Sequence, residues 1–280
     1  MPVAERPQAP AFLVIGSQRA GTTWLHEYLA SLGSVGLPQG VKETFFFDRQ
    51  FERGPGWYLG HFSGAAQPRG EIAPTYLHSL EAPARVRETL GTVKLACLLR
   101  DPAERSFSLY LHEQRKGRIE GGFWEAVRQQ PEIVESSYYG RHLDRWLQFF
   151  APENLRIFFQ EDLDRDPEAF VREFCGFIGI DAGPVPEMLR ARVNEGSVPT
   201  NRKLAKLGSR SADLLRRAGL YSAVNLAKRA GLKQIFFGRE GNNLPRLGTG
   251  DRERLVGMFR RDIELVERLS GRALPGWKQA

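Results

Sequence analysis

Phe12-Leu13-Val14-Ile15-Gly16-Ser17-Gln18-Arg19-Ala20-Gly21-Thr22-Thr23-Trp24-Leu25 is the stretch from which the fold can be read. Its first four residues form an apolar run that predicts a buried strand. Gly16 to Gly21 is a glycine-bounded loop. A helix follows, with Trp24, Leu25, Tyr28, Leu29 and Leu32 facing inward and Gly33 closing it. Strand, glycine loop and helix N-terminus in that order make an anion site. The first-turn N–H groups lack intrahelical partners and carry the positive end of the helix dipole. The Gly16-x4-Gly21 spacing is that of a P-loop, yet Thr22 stands where a nucleotidase has lysine. The cation is instead Arg19, inside the loop, and Thr22 and Thr23 add hydroxyls. Such a loop fits an anion better than it fits the hydrolysis of Mg-ATP.

Working outward, Val93 to Leu99 predicts a second strongly buried strand, followed at once by Arg100-Asp101-Pro102 and a helix from about Pro102 to Lys116. Arg100 therefore stands at a strand's C-terminal end, where open α/β sheets bind ligands. Arg105 and Ser108 are three residues apart and are expected to project from one helix face toward a second phosphate. Gly70-Glu71-Ile72-Ala73-Pro74-Thr75-Tyr76 predicts a short strand ending in a turn, with Pro74 stopping it, and Leu155 to Phe159 another strand. Helices are expected at Ala82–Leu90, Gly121–Gln130, Tyr138–Phe150, Pro167–Ile178 and Asp251–Leu269. Gly54 to Phe62 reads as an aromatic loop or short helix lining a cleft. Lys42-Glu43-Thr44-Phe45-Phe46-Phe47-Asp48 reads as a partly buried segment holding two charges near a pocket. Alternating strands and helices predict an α/β fold: a P-loop-like three-layer sandwich with a central, mostly parallel sheet flanked by helices.

The chain has 280 residues, ordinary globular composition and a net charge of +7. That charge suits an anionic ligand or surface as well as a merely arginine-rich exterior. Cys97 and Cys175 are far apart in apolar segments and read as reduced core thiols. No apolar run approaches the roughly 18 residues needed to span a membrane, and no leader-like apolar segment precedes the first strand. The expectation is a soluble, cytoplasmic protein. It is read as one domain over 1–280, with a basic helical insertion at about 200–240. Ten Lys or Arg and one acid, Asp213, lie between Arg202 and Arg239. That segment reads as a flap over an anionic ligand, a peripheral membrane contact or an exposed hairpin.

These residues resemble the sulfotransferases that use 3′-phosphoadenosine 5′-phosphosulfate (PAPS), in particular the branch of heparan sulfate sulfotransferases and their bacterial relatives. The family's 5′-phosphosulfate loop is similar to Ser17, Gln18, Arg19, Ala20, Gly21, Thr22, Thr23 and Trp24. Its 3′-phosphate signature resembles Arg100 and Ser108. Its Lys-Glu-x-x-Phe-Phe-Asp segment resembles Lys42 to Asp48 and implies Glu43 as general base beside Lys42. Glu71 to Tyr76, the Tyr139-x-x-His142-Leu143-x-x-Trp146-Leu147 run and the terminal Leu274-Pro275-x-Trp277 follow the same pattern. By resemblance Tyr139 joins the cofactor site, and His112 coincides with a histidine implicated in the N-sulfotransferase members. The family usually has lysine where Arg19 stands. Arg202 and Lys203 are candidates for the cofactor-closing loop.

The resemblance implies PAPS as cofactor, no metal, and in-line transfer of a sulfonate to a hydroxyl or amine of a carbohydrate, glycolipid or natural-product acceptor. Nucleic acid is not an expected partner, since the basic residues lack interleaved stacking aromatics. The alternatives are a P-loop kinase or NTPase, with Asp101 as the one obvious metal holder, and a non-catalytic basic anion-binding protein.

Overall fold

The computed structural model describes residues 9–190 and 245–279. The 200–240 insertion, with Arg202 and Lys203, lies outside the described residues. Four strands, β1 (Phe12–Gly16), β2 (Gly70–Ile72), β3 (Lys94–Leu99) and β4 (Leu155–Phe159), form one sheet in the order β2-β1-β3-β4. All three pairings are parallel, with Phe12 opposite both Gly70 and Lys94, and Leu95 opposite Leu155. The chain moves from β1 to one side for β2, then crosses to the other side for β3. The crevice at the C-terminal ends of β1 and β3 is therefore the topological switch point where such sheets take ligands.

Alternation along the strands fills two cores. Leu13, Ile15, Leu95, Cys97 and Leu99 face one layer, and Phe12, Val14, Ala96 and Leu98 the other. The second layer holds α1 (Thr22–Leu32), which buries Trp24, Leu25, Tyr28 and Leu29 as its spacing predicts. After α1 come two short helices, α2 (Phe46–Arg49) and α3 (Gly54–Gly60), and then α4 (Ala82–Leu90). The longer α5 (Pro102–Arg115) follows β3, and then α6 (Phe123–Gln129), α7 (Glu132–Glu135) and α8 (Tyr139–Leu147). Beyond β4 run α9 (Gln160–Arg165), α10 (Pro167–Ile178), α11 (Glu187–Arg190) and α12 (Thr249–Ser270). α10 joins α1 in the second layer, while α5, α8 and α12 cover the first. Both cysteines are buried and free. The expected three-layer α/β architecture is the one that forms.

Gly54 to Phe62 contains the expected short helix, α3. Tyr58 and Phe62 turn into the first core, where Tyr58 stacks on Phe46 and meets Phe47 and Phe62 edge-on, and the Tyr58 hydroxyl reaches Glu71 of β2. Among the described residues no helix is long and apolar enough to cross a membrane.

Candidate active site

The loop between β1 and α1 is tightly built. Gly16 passes so close to Leu77 that a Cβ there would lie 2.6 Å from the leucine Cβ. Gly21 caps α1 at φ 89°, a conformation that favours glycine. Arg19 takes φ 69° without being glycine, strain of the kind held at functional sites. Ser17 N–H and Oγ both donate to the Leu98 carbonyl, at 2.6 and 3.2 Å, tying the loop to β3. α1 has no side-chain cap and no acid in its first turn. Its first N–H groups and dipole are therefore left for a ligand.

Around this loop the predicted residues divide into two groups. Gln18, Arg19, Thr23, Lys42, Glu43, Arg100, Ser108 and His112 are each at least partly open to solvent. Ser17, Ala20, Thr22 and Trp24 are buried. Trp24 stacks on Tyr28 and donates its indole N–H to the Leu189 carbonyl at 2.8 Å, so its side chain belongs to the core. Tyr139 is buried beneath the loop next to Trp277; its hydroxyl lies near Ser17 without a hydrogen bond of regular geometry.

Two contacts assemble the open group. Arg19 Nε donates to Ser108 Oγ at 3.2 Å, joining the loop to α5. Lys42 Nζ donates to Thr23 Oγ1 and to Glu43 Oε1, each at 3.1 Å. The Glu43 carboxylate is thereby tied, through one lysine, to the first turn of α1. Arg100 stands at the end of β3 in a long 3.8 Å ion pair with Glu104.

The local field is strongly positive. Burial, then repulsion from Arg115, Arg100 and Arg105, lowers the Arg19 guanidinium to about 10, still cationic at neutral pH. Burial and then Lys116, Arg19, Arg118 and Arg115 push the His112 imidazole down to about 2, so it is neutral. The Arg115 side chain makes no hydrogen bond or ion pair to another described residue. It was not singled out from the sequence, although Ser108, His112 and Arg115 fall at i, i+4 and i+7 on one face of α5, a spacing that exposes it.

Arg105 departs from expectation. It does not share an open face with Ser108 but is wholly buried. Its Nε donates to the Gln18 carbonyl at 3.0 Å, and its Nη1 to Ser136 and Ser137 at 2.5 and 3.0 Å. On the first turn of α5 the loop and α7 enclose it, so it braces the loop from behind. Asp101 is likewise engaged: Oδ1 caps α5 by accepting from Ala103 and Glu104 N–H, and Oδ2 accepts from Arg252 at 2.8 Å. Trp277 Nε1 donates to Glu161 of α9 at 2.8 Å and its ring meets Phe159 of β4 edge-on, closing the C-terminal end against both elements. Among the described residues no group of three or more His, Cys, Asp or Glu is placed to hold a metal ion. A separate cleft between His78, Glu132, Arg141 and His142 is internally paired, His78 to Glu132 at 3.1 Å and Arg141 to Glu135 at 2.6 Å. None of the residues lining it belongs to the loop.

Sheet, switch-point loop and a cation-lined first turn define an anion-binding α/β domain, and comparison with known proteins says which one. The sulfotransferase domain model matches residues 9–207, and the chain belongs to that family. Among curated relatives it is 29% identical over 194 residues to the human bifunctional heparan sulfate N-deacetylase/N-sulfotransferase 3, an alignment covering 61% of this chain and 22% of that protein. To the Drosophila melanogaster bifunctional heparan sulfate N-deacetylase/N-sulfotransferase it is 26% identical, covering 81% of this chain and 26% of that protein. The chain thus spans about a quarter of the length of these relatives. The crystal structure of a sulfotransferase from Alicyclobacillus acidocaldarius superposes with a TM-score of 0.69 at 21% identity, covering 97% of this chain and 99% of that one.

Proposed function

We propose that this protein transfers a sulfonate from PAPS to a hydroxyl or amine, with Glu43 as general base and Arg19 as the cation at the reacting end. The observation that carries this reading is the Thr23–Lys42–Glu43 bridge, which sets a carboxylate beside a capless helix N-terminus lined by Arg19 and Ser108. When bound, PAPS supplies an activated sulfonate and a nucleotide 3′,5′-bisphosphate leaving group. The residues present suit it: Arg19, Arg100 and Arg115 act on one another at close quarters, and a polyanion offsets that repulsion.

Arg100 and Ser108 hold the 3′-phosphate, the group that distinguishes this nucleotide from ATP. Loop N–H groups and the α1 dipole bind the 5′ end. Arg19, with its planar fork, stabilises negative charge where the sulfonate departs, and must leave Ser108 or share it to do so. Glu43 takes the acceptor's proton, while Lys42 fixes the carboxylate against Thr23. His112, being neutral, offers the acceptor a ring N–H or lone pair and no charge. The acceptor is read as a carbohydrate or glycolipid, a reading supported by the names of the relatives and by the Lys42 to Asp48 segment. Ile72 stands where some polysaccharide-acting members have lysine, which weighs against a highly sulfated polymer.

The test is transfer of labelled sulfonate from PAPS to a panel containing an N-unsubstituted glucosaminoglycan, neutral oligosaccharides and a glycolipid. Turnover on at least one of these is expected, and Glu43→Gln should lower kcat by roughly 10²-fold with cofactor affinity kept. Full turnover by Glu43→Gln would remove it as the base.

A further inference from the structure

We propose that Glu71 is the positioning residue for Glu43, acting through its hydrogen bonds to Thr44. This rests on the reading of Glu43 as base. Glu71 lies on β2 opposite Leu13 of β1 and is wholly buried. Its Oε1 accepts from the Thr44 N–H and from Thr44 Oγ1, both at 2.7 Å. Its Oε2 accepts from the Tyr58 and Tyr76 hydroxyls, both at 3.1 Å. Thr44 directly follows Glu43, so β2 grips the chain one residue from the base, and β2 is in register with the strand that carries the anion loop. On the other side of Glu43, Lys42 is tied to Thr23. The segment is thus fixed at both ends to the framework that holds the nucleotide.

The grip has work to do. Immediately after Thr44 the backbone turns through Phe45 at φ 54°, a conformation that a bulky residue adopts only when its surroundings enforce it. The same network supplies that enforcement. Tyr76 OH accepts from the Phe46 N–H at 3.0 Å, and Gln50 Nε2 donates to the Thr44 carbonyl at 3.0 Å. The partners of Glu71 are a peptide N–H and three hydroxyls, none of them a cation. Burial accordingly raises its carboxyl to about 7. Hydrogen-bond geometry, rather than charge, is what the segment takes from it. A glutamine can serve: its carbonyl accepts from Thr44, and its amide donates to tyrosine hydroxyls that rotate to receive it.

The experiment uses the full chain and four variants: Glu71→Ala, Glu71→Gln, Glu43→Gln, and Glu71→Ala combined with Glu43→Gln. Three quantities are read: calorimetric affinity for adenosine 3′,5′-bisphosphate, release of that product from PAPS with water as acceptor, and amide hydrogen exchange by mass spectrometry. Glu71→Ala should slow turnover roughly 10- to 100-fold, as expected for a misplaced catalytic group. Bisphosphate affinity should stay within about 2-fold, and the double variant should be no slower than Glu43→Gln alone. Exchange should rise in residues 41–47 and not in 12–24. Glu71→Gln should behave like the parent.

A multiplicative loss in the double variant overturns the proposal. So does bisphosphate affinity falling in step with turnover, unchanged exchange over 41–47, or Glu71→Gln as slow as Glu71→Ala. Should Glu71→Ala not fold, Thr44→Val, which deletes one bond to Oε1, carries the same comparison with Glu43→Gln. A fully active Glu43→Gln removes the base reading and this inference together. A slow Glu43→Gln beside an unaffected Glu71→Ala removes this inference alone.

Discussion

Arg19 occupies the position where repulsion from Arg115, Arg100 and Arg105 is concentrated, and its side chain rests on Ser108. An anion entering between these groups gains the attraction of several cations at once, and a lysine would meet it with a point charge in place of a fork. Arg19→Lys is expected to keep bisphosphate affinity within about 3-fold and to alter kcat more than KM, because the lost geometry matters where charge develops. A change in KM alone, measured by steady-state kinetics, would place Arg19 in ground-state binding only. Arg19, Arg100 and Ser108 were legible as candidates because each sits in a short motif with fixed spacing, and Glu43 through the resemblance carried by Lys42 to Asp48. Arg115 was not. Its signal is a helical i+7 interval, which shows only once the inward face of α5 is known.

Among the elements, the loop between β1 and α1 depends on what braces it. Arg105 reaches from α5 to the Gln18 carbonyl and to the two serines that follow α7, Ser136 and Ser137, without a hydrogen-bonded acidic partner. Arg105→Met, similar in length, removes the donor to the Gln18 carbonyl and to the buried Ser136 and Ser137 hydroxyls, of which Ser137 keeps Ser106, and should cost about 2 kcal/mol of unfolding free energy. Bisphosphate affinity should fall with it. Denaturant unfolding and calorimetry check both, and an unchanged affinity would mean that the loop holds its shape unaided. The sequence placed Arg105 on the open face because i, i+3 spacing alone does not say which neighbour encloses a helix's first turn. Likewise α2, α7 and α9, of four to six residues, are too short to show a period. The long helices and all four strands were legible, since burial on one or both faces writes itself into their hydrophobic pattern.

Across the whole molecule, protonation and ligand binding couple to stability. Glu71 titrates near 7 in the folded chain, against 4.5 for an ordinary glutamate. Between those values the native state holds a proton that the unfolded chain has released. Stability from this group is therefore fully present below about pH 4.5 and falls as pH rises to about 7. Glu71→Gln should remove that slope. Its unfolding free energy relative to the parent should thus improve between pH 5 and 8, and a constant difference across that range would contradict the raised value. The +7 net charge and the cation-lined crevice also mean that an anionic nucleotide should stabilise the fold, by about 2.7 kcal/mol at a hundredfold excess over Kd. The aromatic packing around Tyr58 and the buried Glu71 network were invisible at this scale. They depend on residues far apart in sequence meeting across the sheet edge.

The central claim is a nucleotide site that demands a 3′-phosphate, and calorimetric titration of the full chain with adenosine 3′,5′-bisphosphate, 5′-AMP and Mg-ATP tests it most directly. The account predicts metal-independent binding of the bisphosphate, much weaker binding of 5′-AMP, and a selective loss of bisphosphate affinity in Arg100→Ala. Equal affinity for the bisphosphate and 5′-AMP, or a preference for Mg-ATP, would contradict it.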